Sequence, residues 1–142
     1  MTDQTEQQAS CLCGAVRIFV KPENNHVGAC HCKMCRRWSS GPLFAMECGD
    51  QVRFEGRENI TTFSSSEWAE RGFCNKCGSN LFYRIKQTGD YFIPVGILDD
   101  ESQLSFKQQI FIDQKPAFYS FANQTENLTE AEVLAQYSQL LE

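Results

Sequence analysis

Cys74-Asn75-Lys76-Cys77-Gly78, together with the distant Cys11-Leu12-Cys13-Gly14, decides how this chain folds. Two intervening residues let the sulfurs of Cys74 and Cys77 face one ion, and Gly78 permits the tight turn such a knuckle needs. Cys11 and Cys13, two apart, point to the same side of an extended chain and can supply the other half of a tetrahedron. A closed four-thiolate site follows, and it ties the start of the chain to its middle. A third group, Cys30-His31-Cys32-Lys33-Met34-Cys35, offers three sulfurs and no evident fourth. Three protein ligands leave a coordination position for water or substrate, which is what separates catalytic zinc sites from structural ones. Seven of the eight cysteines thus divide into a closed four and an open three.

Cys48 is left over. It lies outside any paired spacing and is expected as a buried small hydrophobe rather than as a ligand. Iron–sulfur ligation also uses four thiolates, but a Cys-x-Cys pair with a Cys-x-x-Cys-Gly knuckle suits tetrahedral zinc better.

The rest of the composition sets the frame. At 142 residues, with 42% hydrophobic and 22% charged side chains, the chain has the size of one domain with a real core. Eighteen acidic against 13 basic residues, a net charge of -5, argue against a sequence-blind nucleic-acid binder. No apolar run is long enough for a membrane span. Met1–Ser10 lacks the basic start and apolar stretch of a secretory signal. A cytoplasmic, thiol-reducing location is expected, in which so many cysteines mean metal rather than disulfides.

Residues 1–9 read as a flexible tail and 10–142 as a single zinc-binding domain. Short β-prone runs at Ala15–Val20, Val27–Cys30, Leu43–Glu47, Gln51–Phe54, Ile60–Phe63, Trp68–Phe73, Leu81–Ile85, Tyr91–Val95 and Gln108–Ile112 predict a mostly β fold. The stretch between Cys30 and Pro42 reads as a cysteine-dense loop. One helix is expected near the C-terminus, where Thr129-Glu130-Ala131-Glu132 fits a capping box. Leu128 and Val133 are placed for a hydrophobic staple, and Val133, Leu134, Tyr137, Leu140 and Leu141 follow helical spacing on one face.

Around the open group, alternation along Cys30-His31-Cys32 points the His31 ring away from the two sulfurs. A solvated or hydrogen-bonded histidine is the favoured reading, with ligand or proton shuttle as the alternative. Lys33, Arg36 and Arg37 read either as solvated surface charge or, beside a trithiolate site, as groups that offset its negative charge, with Arg36 and Arg37 as candidates for holding carboxylates of an anionic ligand. Trp38 is core by default, or a pocket wall beside the metal.

Cys11-Leu12-Cys13-Gly14-Ala15-Val16, Cys30-His31-Cys32-Lys33-Met34-Cys35-Arg36-Arg37 and Phe73-Cys74-Asn75-Lys76-Cys77-Gly78-Ser79-Asn80-Leu81-Phe82 resemble the glutathione-dependent formaldehyde-activating enzyme family, whose domain is shared with centromere protein V. The resemblance spans roughly residues 10–120. It implies a small zinc-stapled β-tent of short antiparallel sheets with a C-terminal helix. It also implies two zincs per chain, a structural one on Cys11, Cys13, Cys74 and Cys77 and a catalytic one on Cys30, Cys32 and Cys35. The implied reaction is of the carbon–sulfur lyase type, joining glutathione to formaldehyde as S-hydroxymethylglutathione. The implied partners are a small thiol such as glutathione and a small aldehyde, with no nucleic acid and no membrane. The alternative is a non-catalytic binding module in which both metals only hold the fold.

Overall fold

A computed structural model describes residues 6–138. The chain runs β1 (Gln7–Ser10), β2 (Arg17–Val20), β3 (His26–Cys30), α1 (Lys33–Ser39), β4 (Leu43–Glu47), β5 (Arg53–Glu55), β6 (Ile60–Ser64), β7 (Ala69–Cys74), β8 (Asn80–Ile85), β9 (Tyr91–Pro94), β10 (Ser105–Ile110), β11 (Glu126–Leu128) and α2 (Glu130–Tyr137). A three-stranded sheet has the order β1-β2-β5, and an eight-stranded sheet the order β11-β10-β3-β4-β9-β8-β7-β6. The pairings are antiparallel except that β10 runs parallel to both β3 and β11. The mostly β, two-sheet architecture matches the sequence expectation; the two parallel pairings do not follow from it.

Three elements depart from expectation, each for an identifiable reason. Gln7–Ala9, assigned to the flexible tail, form most of β1: Gln-Gln-Ala-Ser has no strand signature, but it pairs with β2 from Gln7↔Val20 to Ser10↔Arg17 and buries Ala9. The first five residues of that expected tail lie outside the described part. The cysteine-dense loop contains a helix, α1, capped by Cys32, whose sulfur accepts the Cys35 amide. Sulfur is an unusual cap, α1 has no acidic first turn, and only Cys35 is buried on it, so neither capping signal nor apolar periodicity marks it. Strand β11 is three residues long and is held by its parallel register with β10.

The C-terminal helix is where the capping box puts it. Thr129 Oγ1 accepts the Glu132 amide at 3.3 Å, and Glu132 Oε1 accepts the Thr129 amide at 3.0 Å. Leu128 and Val133 are both buried. The apolar face is narrower than the spacing predicts, since Leu134 is 50% exposed; Leu140 and Leu141 lie outside the described residues. Polar contacts dock the helix, with Glu130 donating its amide to Asp113 and accepting from Gln114, both at 3.0 Å. Among the described residues no helix is long and apolar enough to cross a membrane.

The core joins the two sheets. Val16, Ile18 and Val20 pack in one cluster with Met46, Leu81, Phe82 and Ile93, and Cys11 and Cys74 belong to it. One cysteine of each of the two pairs is therefore built into the edge of the core. Gly56 keeps the small sheet close: its φ is +82°, and a Cβ there would sit 1.9 Å from the Ala15 carbonyl oxygen. Gly49 is also left-handed (φ +66°), with open space around it. Gly49→Ala is expected to cost about 1 kcal/mol of backbone strain, whereas Gly56→Ala adds a backbone clash and costs about 3 kcal/mol or more. Urea denaturation of both variants checks this, and equal losses would contradict it.

Candidate metal centres

The first centre is assembled from two turns, each closed by a left-handed glycine. Gly14 (φ +80°) donates its amide to the Cys11 carbonyl at 3.1 Å, and Gly78 (φ +79°) donates to the Cys74 carbonyl at 2.8 Å. Each glycine closes a turn a side chain would strain. The Leu12 amide reaches across to Ser79 Oγ at 2.9 Å and links the two turns. The sulfurs of Cys11, Cys13, Cys74 and Cys77 all lie within 4.8 Å of one another, with Cys11–Cys13 at 3.7 Å and Cys13–Cys74 at 3.8 Å. A tetrahedron built on Zn–S bonds of about 2.3 Å has edges of about 3.8 Å. The donor set and its spacing therefore fit such an ion. Amides of Val16 and Lys76 point at Cys11 and Cys74 at 3.3 and 3.4 Å, and the Ser79 hydroxyl and amide draw Cys77 down to about 5. Hydrogen bonds to sulfur favour the thiolate that a metal requires.

The second group is formed where β3 runs into α1. Cys30 ends the strand, Cys32 caps the helix and Cys35 sits in its first turn, and the three sulfurs also lie within 4.8 Å of one another. The Cys35 amide donates to Cys32 Sγ at 3.3 Å. Cys35 is buried and the other two half-buried. Sulfurs this close do not all ionise unaided. Hydrogen bonding with Cys30, then with Cys35, draws Cys32 down to about 2, while the same contact with Cys32 pushes Cys30 far up. A divalent cation is the natural means of holding all three as thiolates. Among the described residues these two groups are the cysteine clusters able to hold a metal.

Cys48 stands apart from both. It is buried, its thiol donates to the Met46 carbonyl at 3.5 Å, and burial first, then Glu47, pushes it up to about 12.

His31 is fully buried, and both ring nitrogens are engaged, Nδ1 with the Tyr119 hydroxyl at 2.8 Å and Nε2 with Gln109 Oε1 at 2.9 Å. The Gln109 amide nitrogen donates to Thr125 Oγ1 at 3.0 Å, which orients its oxygen toward His31 and so assigns the ring proton to Nε2. Desolvation lowers its pKa and favours the neutral ring. It is the hydrogen-bonded histidine of the sequence expectation, and it anchors the backbone between two of the cysteines.

Arg36 is half-buried and donates Nε to the His31 carbonyl at 2.8 Å, while Arg37 is exposed. Sequence reasoning missed Arg71 on β7. It is only 3% exposed, its Nη1 and Nη2 lie 3.6 and 3.7 Å from Cys35 Sγ, and its guanidinium carbon stands 5.0 Å from the Trp38 ring and 4.9 Å from the Tyr83 ring. One signal was available. Arg71 is two residues beyond the apolar Ala69, on the inward register of a strand.

Because its thiol is neutral at pH 8 and shielded, Cys48 is expected to resist iodoacetamide in the native protein at that pH and to react fully once unfolded. Peptide mapping after alkylation checks this; rapid native labelling of Cys48 would contradict its placement.

The chain is similar to known proteins over most of its length. The glutathione-dependent formaldehyde-activating enzyme family matches residues 6–114. A Schizosaccharomyces pombe protein named as an uncharacterized lyase is 35% identical over 130 residues, covering 91% of this chain and 95% of its own. A Halomonas elongata protein named as a candidate glutathione-dependent formaldehyde-activating enzyme is 30% identical over 84 residues, about half of either chain. A crystal structure of a Rhodobacter sphaeroides protein superposes with a TM-score of 0.57 at 28% identity, covering 65% of this chain and 87% of that one. With the family matching most of its length and both cysteine groups assembled, the chain belongs to the glutathione-dependent formaldehyde-activating enzyme family.

Proposed function

We propose that this chain is a zinc-dependent carbon–sulfur lyase that adds the thiol of glutathione to formaldehyde, giving S-hydroxymethylglutathione. The observation that carries the reading is the pairing of a closed four-cysteine group with a three-cysteine group in a member of this family. Cys11, Cys13, Cys74 and Cys77 would hold a structural zinc, and Cys30, Cys32 and Cys35 would hold a second, catalytic one. When bound at the three-cysteine group, zinc would supply Lewis acidity that lowers the pKa of an incoming thiol. In the reaction the thiol sulfur forms a bond to the aldehyde carbon as the carbonyl π bond opens, and the thiol's proton ends on the oxygen.

The chain's own groups prepare that site. The α1 N-terminus fixes Cys32 and Cys35 in one turn, and the His31 contacts hold the segment that carries Cys30 and Cys32. Arg37, exposed on α1, is the group available to a glutathione carboxylate. Arg36 shares that assignment through the donors left after its Nε is spent on the His31 carbonyl. The dependence on reduced thiols suits a cytoplasmic setting.

Cys74→Ser is expected to lower the melting temperature by about 10 °C or more, because a structural zinc contributes folding energy directly. Cys32→Ser is expected to shift it by less than about 3 °C. Comparable losses would contradict the division of roles. In calorimetry, glutathione is expected to bind at least about tenfold tighter than S-methylglutathione, whose sulfur cannot become a thiolate. Equal binding would remove the metal as anchor. Absence of catalysed S-hydroxymethylglutathione formation would favour a zinc-stabilised binding module.

A further inference from the structure

Arg71 presents a charge without a conventional partner. Its guanidinium carries a positive charge and is buried, and the described ion pairs, Arg17–Asp99, Arg53–Glu55 and Arg84–Glu70, do not include it. The adjacent Glu70 carboxylate pairs with Arg84 instead, at 3.4 Å. A buried charge is stable only against an opposite one. Both terminal nitrogens of Arg71 straddle Cys35 Sγ at 3.6 and 3.7 Å, so its anion is the sulfur cluster itself. Trp38 and Tyr83 hold the plane from α1 and β8, and the fork cannot swing out to solvent.

Charge counting gives this placement a consequence, one that rests on the reading of the three-cysteine group as a metal centre. A divalent ion with three thiolates carries one net negative charge, and Arg71 brings the assembly to neutrality. A thiolate arriving as fourth donor leaves one negative charge with Arg71 present and two without it. A neutral donor adds none in either case. In a half-buried site that difference is poorly screened by water.

We propose that Arg71 is the built-in counter-charge of the three-cysteine centre, a positioning residue that makes the centre select a thiolate over a neutral fourth donor. The selectivity is carried by a residue on β7, remote in sequence from all three ligands. The guanidinium also fixes Cys35 in place, because two N–H groups on one sulfur define its direction.

The test uses the full chain loaded with two equivalents of cobalt(II), whose thiolate charge-transfer and d–d bands report the coordination sphere. 2-Mercaptoethanol serves as the anionic-donor probe and imidazole as the neutral one. R71M is expected to keep its cobalt and its melting transition, to bind 2-mercaptoethanol at least about tenfold more weakly, and to bind imidazole within about twofold of the unmodified protein. R71K, which keeps the charge, is expected to recover most of the thiol affinity. Equal weakening toward both probes, or no change toward either, would overturn the proposal. Should R71M fail to fold, R71K against R71Q decides, since R71Q keeps a donor and loses the charge: thiol preference must follow charge. The outcome is separable from the proposed reaction, because neither probe is glutathione or formaldehyde. An unmodified protein that takes no ligand-responsive cobalt would overturn both, whereas one that does and whose thiol preference ignores Arg71 would overturn this inference alone.

Discussion

Four sulfurs converging on one point constrain everything else in this fold. Cys11 and Cys13 leave β1, Cys74 and Cys77 leave β7, and the Leu12–Ser79 hydrogen bond brings the two turns together. That convergence attaches the small sheet to the large one at a corner where Cys11 and Cys74 already belong to the apolar core. It also explains why a polar segment such as Gln7–Ser10 is a strand: it is the lead-in to a fixed point and pairs with the strand that leaves it. β1 and β2 are only four residues each and β5 three, so a metal held by these four sulfurs would add a long-range crosslink where the small sheet offers little area of its own.

The second cysteine group is organised by different forces. Its sulfurs come from one short stretch, so the fold gains little long-range connection from them. What surrounds them comes from far away: Gln109 on β10 and Tyr119 beyond it hold the His31 ring, and Arg71 on β7 supplies the facing charge. This group is local in its ligands and non-local in its support, the reverse of the first. Such an arrangement suits a site whose donors are fixed while one position stays available.

How much of this was legible in the sequence follows from the same distinction. Ligand spacing is local geometry, and Cys-x-Cys-Gly and Cys-x-x-Cys-Gly announce their turns through Gly14 and Gly78. The capping box of α2 is equally local, as is the alternation that turned His31 away from the sulfurs. Helix α1 was hidden because its cap is a sulfur and only Cys35 on it is buried. Strand β11 and the parallel run of β10 were hidden because pairing direction is set by partners distant in sequence. Arg71 was hidden most deeply. Its inward register on β7 marks it as buried, but its role follows only once Trp38 on α1, Tyr83 on β8 and the Cys35 sulfur are known to surround it.

The proposed function requires two separate metal centres in one chain, one closed and one open. Zinc content per chain, measured by elemental analysis on protein purified without added metal or chelator, tests it most directly. Two zincs per chain are expected. A single zinc would leave the three-cysteine group as an ordinary cluster of thiols and would contradict it.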